Sequence, residues 1–192
     1  MSIGEGNDDK VAVNAMRRSE SKGPQMNHED VIAVLNKPLA LELMNSIVPA
    51  RVAYNGPDGY PRVIPVGFLW NGEEIVFCSP VNAAKVRSIQ NDPKVAITID
   101  TEGMPPHVLF IRGDASVAIV DGVPREFLEA SRRRMPEETF ADWEAGVVAL
   151  YDRMAVITIT PAWAKLLDFE TTLPSAIAEL IETKAAGAQP QS

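Results

Sequence analysis

Residues 49–101, PARVAYNGPDGYPRVIPVGFLWNGEEIVFCSPVNAAKVRSIQNDPKVAITIDT, decide the fold. The apolar runs Ala50–Tyr54 and Pro61–Trp70 flank Asn55-Gly56-Pro57-Asp58-Gly59, a cluster of turn formers, so the two runs read as a hairpin. Asn71-Gly72 is a second turn and Ile75–Ser79 a third strand, which predicts a three-strand meander before any helix. Strands joined by turns this short run antiparallel, because a parallel crossover needs about a dozen residues or more. Asn82 then stands as the N-cap of a helix through Gln90, with Val86 and Ile89 on one side. Asn91-Asp92-Pro93 ends that helix before a strand over Lys94–Asp100.

Two local oddities sit in this stretch. Counted from Asn82, Lys85 is the N3 residue, where a capping box takes Glu or Gln and where the positive pole of the helix disfavours a cation. A bound anion resolves the conflict, since free N–H groups and an ammonium together make a phosphate site. A lysine turned back into solvent resolves it as well, at a cost of about 0.3–1 kcal/mol, and the residues alone leave both readings open. Within Pro61–Trp70, Pro65 lacks a donor and Gly67 lacks a side chain, so this run is not an ordinary central strand. It bulges at a barrel corner, or something flat lies against its backbone.

Outward from the centre, a helix over His28–Asn36 is capped by Asn27, and a turn or two follow Lys37-Pro38 as Leu39–Met44. Beyond Asp100 come a long strand over His107–Val120, with Gly113 marking a bulge, and helices over Pro124–Arg134 and Pro136–Leu150. The basic run Arg132-Arg133-Arg134 suits the negative pole of its helix, and Phe140, Trp143, Val147 and Leu150 form a packing stripe. Strands over Arg153–Thr160 and Trp163–Phe169 and a helix over Pro174–Lys184 close the chain. The expected fold is mainly β with peripheral helices, a six- to seven-stranded antiparallel split β-barrel. Residues 27–184 make the domain, between flexible tails over 1–26 and 185–192.

Eighteen lysines and arginines against 26 acids leave a net charge of −8 over 192 residues, which gives no electrostatic support for nucleic-acid or anionic-membrane binding. No apolar run approaches the roughly 20 residues that span a bilayer. Cys78 is the lone cysteine, so no intrachain disulfide forms; no metal-ligand cluster is present, and the expectation is a cytoplasmic protein.

The chain resembles the pyridoxamine 5'-phosphate oxidase-like FMN-binding split barrels, which include the deazaflavin-dependent reductases. The likeness is densest in Ala50-Arg51-Val52-Ala53-Tyr54, Pro61-Arg62-Val63-Ile64-Pro65-Val66, Ile75-Val76-Phe77-Cys78-Ser79 and Lys85–Val95. It implies a homodimer that binds FMN, or alternatively an 8-hydroxy-5-deazaflavin coenzyme, at the subunit interface and acts on a small-molecule substrate. Arg62 and Lys85 would hold the coenzyme phosphate. Val63, Ile64, Pro65 and Val66 would line the isoalloxazine ring through their backbone, and Cys78, Ser79 and Asn82 would meet the ribityl chain or phosphate. The family's second basic residue on the Arg62 strand is here Gly67, and its Ser-Arg before the lysine is Ala83-Ala84. Its C-terminal substrate segment is replaced by Leu166-Leu167-Asp168-Phe169-Glu170, which argues against pyridoxal phosphate synthesis and for a reductase-like branch.

No nucleophile–base–acid arrangement stands out, and His28 and His107 are isolated. That poverty suits an oxidoreductase whose coenzyme carries the chemistry. It also suits a flavin- or haem-binding split barrel without turnover.

Overall fold

The computed structural model describes residues 26–169, 171 and 174–187. Its elements are α1 (His28–Leu35), α2 (Pro38–Asn45), β1 (Ala50–Asn55), β2 (Pro61–Val66), β3 (Leu69–Trp70) and β4 (Ile75–Pro80), then α3 (Ala84–Asn91), β5 (Lys94–Asp100), β6 (Val108–Asp121), α4 (Arg125–Arg132), α5 (Glu137–Leu150), β7 (Arg153–Leu167) and α6 (Ser175–Gly187). Residues 1–25 and 188–192, the bulk of the tails expected from sequence, lie outside the described residues.

All seven strands join one antiparallel sheet in the order β2-β1-β5-β6-β7-β4-β3. The sheet is not closed, and β2 and β3 are its two edges, as in a split barrel. The expected meander is therefore corrected. The run Pro61–Trp70 breaks at Gly67-Phe68, so β2 pairs with β1 at one edge while β3 pairs with β4 at the other. A curled sheet brings its edges near enough for so short a link, and Gly67 lies at the corner between them. Pro65 sits opposite Arg51 on an edge strand, where a missing N–H is tolerated.

Gly113 marks the expected bulge. The β6–β7 register shifts between Arg112 and Gly113, and a Cβ on Gly113 would stand 2.3 Å from the Thr160 carbonyl oxygen. The bulge takes up Ala162 on the partner strand, so Arg153–Leu167 is one continuous strand rather than the two read from sequence.

Ile75, Phe77, Ile97, Ile99, Leu109, Ile111, Ile157 and Ile159 fill the barrel, and Val31, Leu35, Leu43 and Met44 from α1 and α2 join the same core. Each such side chain, fully buried, contributes about 1.5–3 kcal/mol. Asn27 caps α1 as expected, its Oδ1 accepting the Asp30 N–H at 2.8 Å. Helix α4 starts after Pro124 in the N-cap position and packs on β3 and β4, with α5 against it. The β3–β4 edge is thus roofed by a helical pair. No helix among the described residues is long and apolar enough to cross a membrane.

Candidate functional site

Between that edge and the helical pair opens a cavity of about 460 Å³, within the roughly 300–1,000 Å³ usual for small-molecule sites. One wall is Pro65, Val66, Gly67, Cys78 and Ser79 from the strands and their link, with Lys85 from the first turn of α3. The facing wall is helical: Phe127, Ser131, Arg134, Met135 and Trp143.

Lys85 does not turn to solvent. It is half-buried, and its Nζ donates to Ser79 Oγ at 3.1 Å. No carboxylate among the described residues pairs with it. The expected Asn82 cap is overturned, because a turn closed by the Ala83 N–H to the Pro80 carbonyl at 3.0 Å precedes the helix, leaving Ala83 as N-cap with no side-chain hydrogen bond. Lys85 therefore takes N2, one place nearer the positive pole than expected. A hydroxyl and an ammonium from the first turn of an uncapped helix converge on one side of the cavity, a pair of donors suited to an oxyanion.

Cys78 lies beside Ser79. Burial, with a smaller push from Glu126, lifts its thiol from the ordinary 9.0 to about 12, so it meets the cavity as a neutral S–H and not as a thiolate.

The helical wall was not read from sequence. Arg132 does what the dipole argument expects at the end of α4, pairing with Glu137 and lying 3.9 Å over the Phe140 ring. Arg134 lies beyond the helix and faces the cavity. A Cβ built on Gly67 would stand 3.6 Å from Arg134 Cδ and 3.7 Å from its Nη1, so this guanidinium lies over the bare backbone between β2 and β3. Trp143, read as part of a packing stripe, stacks on Phe127 at 5.6 Å between ring centroids and lines the cavity. Tyr151 meets Phe127 edge-on at 6.4 Å. The available signal was an Arg and a Trp on two consecutive helices, which ordinary amphipathy explains equally well.

The remaining candidates lie elsewhere. Val63 is 62% exposed on the outer face of β2, Ile64 packs toward the core, and the exposed Asn82 does not line the cavity. Arg62 is separated from Lys85. It is held by Asp58 at 3.1 Å and lines a neighbouring cavity of about 280 Å³ with Pro57, Ala84, Arg87, Ser88 and Asn91. The Arg62 guanidinium beside Asp58 keeps that carboxyl below its ordinary value.

The profile of the pyridoxamine 5'-phosphate oxidase family matches residues 38–167, from α2 to the last residue of β7. The chain belongs to this split-barrel family. Among solved structures, an F420 reductase is 26% identical over 65% of this chain and 94% of its own, with a TM-score of 0.51. A conserved hypothetical protein from Mycobacterium tuberculosis is 16% identical over 78% of this chain and 89% of its own, with a TM-score of 0.52, a likeness of fold alone. No curated protein matches in sequence.

Proposed function

We propose that this family member is an oxidoreductase whose cleft between the β2–β4 wall and the α4–α5 wall binds a phosphate-bearing flavin-type coenzyme. The coenzyme is FMN or, as the likeness to a solved F420 reductase favours, its 8-hydroxy-5-deaza analogue. The observation that carries the reading is Lys85, a half-buried ammonium in the first turn of an uncapped helix, joined to the buried hydroxyl of Ser79 and facing open volume. The residues present fit such a group: cation and hydroxyl for the phosphate end, and the edge at Pro65 and Val66 with a stacked Phe127–Trp143 pair facing it for the planar end.

When bound, the coenzyme supplies hydride transfer. The protein binds, orients and dries. Lys85 and Ser79 anchor the anionic tail, Pro65 and Val66 offer a flat backbone edge, and Phe127 and Trp143 exclude water from the facing side. Cys78, held neutral, adds no charge beside the ring. Arg134 supplies a second cation at the Gly67 end, available to an anionic substituent of the small-molecule substrate. The outer face of β2, with Val63 and Pro65 exposed, is where a second copy would pack in the homodimer implied by the family resemblance.

The absorption spectrum of the purified protein, followed by fluorescence-quenching titrations with FMN and the deazaflavin, tests the assignment. Lys85→Ala is expected to weaken binding roughly tenfold or more, the loss of one charge-assisted contact of about 1.5–3 kcal/mol. Unchanged affinity would remove Lys85 from the site.

A further inference from the structure

Strand β6 outruns its neighbour. β5 begins at Lys94, opposite Asp114, so the stretch Ala115–Asp121 is paired on its β7 side alone. Along an antiparallel strand the backbone groups of alternate residues point to opposite sides. The Ala115 N–H donates to the Pro93 carbonyl at 2.8 Å, away from β7, while the Gly122 N–H donates to the Asp152 carbonyl at 2.7 Å, on the β7 side. Val117, Ile119 and Asp121 alternate with Ala115 and therefore aim their N–H and C=O groups away from β7. None of these groups has a hydrogen-bond partner among the described residues. Helix α3 also packs on β6, but its buried Val86 and Ile89 belong to the barrel core. A helix sealing this edge would bury unpaired N–H and C=O groups, which folded proteins avoid, and Ser116, Ala118 and Ile119 are exposed beside them. The stretch is an open edge. The outer edges of the sheet are guarded, β2 by Pro61 and Pro65 and β3 by its length of only two residues. Here no lysine, proline or bulge interrupts Ser116-Val117-Ala118-Ile119-Val120.

We infer that this edge pairs with the same edge of a second copy of the chain, antiparallel across a two-fold axis at Ile119. The three free residues are spaced evenly about Ile119, so the axis sets Ile119 opposite Ile119 and Val117 opposite Asp121, and each facing pair exchanges two hydrogen bonds. Every open group is satisfied in that register, and a slip of two residues in either direction leaves some unpaired. The charges allow it: Asp121 faces Val117 of the second copy, so no two carboxylates stand directly opposite. The side chains favour it, because Ile119, 42% exposed, meets its own β-branched counterpart at the axis. That self-complementarity selects a second copy over an unrelated extended peptide, which would match the backbone but not the symmetry. The contact uses neither the cleft nor the outer face of β2 on which a homodimer is placed above. Two-fold contacts of both kinds in one assembly build a closed tetramer, in which each kind is made twice.

Sedimentation velocity of the full-length protein over a dilution series tests the contact with two variants. Ile119→Pro removes an N–H that faces away from β7, so the internal ladder keeps its bonds while the central pair across the axis loses both of its own. Ile119→Lys keeps that N–H and sets two like charges opposite each other at the axis. Each is expected to raise the dissociation constant of the contact roughly tenfold or more, and far-UV circular dichroism shows whether each variant is folded. Should the proline variant not fold, the lysine variant decides. A wild-type tetramer that falls to a dimer in the variants upholds the edge contact beside the homodimer. A wild-type dimer that falls to a monomer upholds the edge contact and removes the homodimer on β2. A monomeric wild type, or an assembly unchanged in the folded variants, overturns the inference. Amide exchange gives a local reading: Val117, Ile119 and Asp121 are expected to exchange slowly in the wild-type assembly and fast in Ile119→Lys, and equally fast exchange in both overturns it as well.

Discussion

The two walls of the larger cavity are made differently. On the strand wall, Cys78 and Ser79 lie on β4, paired with Val156 and Ala155 of the long strand β7, with the almost fully buried Phe77 just before them, and Lys85 follows within the same local stretch. On the helical wall, Arg134 and Met135 sit in the link between α4 and α5, and Trp143 is half-buried on a helix with several exposed positions. The strand wall is part of the barrel and inherits its rigidity. The helical wall is laid over the barrel, and its residues face the cavity without being needed to fill the core.

The widest gap between the walls is expected in stability. Phe77→Ala should cost about 3–5 kcal/mol, because the ring is in the core and its loss leaves a cavity. Trp143→Ala should cost about 1–2 kcal/mol, since one side of the indole already meets open volume and the main loss is its stacking on Phe127. Urea unfolding of both variants measures the difference. In binding the order reverses for a variant that still folds: Trp143→Ala is expected to weaken FMN and riboflavin alike, by about two- to tenfold, as stacking on a ring requires. Equal stability losses for the two variants would mean that the helical wall is as much a part of the core as the strand wall, and the contrast would go.

The same contrast explains what could be read in the sequence. The antiparallel barrel was legible from turn residues and alternation, which act over a few neighbours. Lys85 was legible because a cation in the first turn of a helix breaks a local rule, and Pro65 and Gly67 because they break another. What local rules could not show was which strands meet. The hairpin Asn55–Gly59 and the turn Asn71-Gly72 looked like one meander, and only the strand order of the open, curled sheet separates β2 from β3. Arg134 and Trp143 broke no rule: arginine at a helix end and an aromatic on an amphipathic stripe are ordinary, so their turn into the cavity came from the packing of α4 on β3 and β4 and of α5 on α4.

Cys78 gives the smallest effect and the sharpest probe of the strand wall. If that wall is as rigid and dry as the barrel behind it, the thiol stays protonated well above the ordinary range, as its value of about 12 implies. The native state then keeps a proton that the unfolded chain gives up above about pH 9, so unfolding releases a proton and stability falls as pH rises from about 9 toward 12, with no contribution below. Urea midpoints of the wild type and Cys78→Ala, taken at about pH 8 and about pH 10, isolate the thiol from the lysines and tyrosines that both proteins share. The wild type is expected to lose more between the two pH values than the variant, and a thiol reagent at about pH 8 should label Cys78 slowly in the folded protein and rapidly in urea. Equal losses with fast labelling would show water and motion reaching the strand wall as freely as the helical one, and the two sides of the cleft would have to be treated as equally mobile.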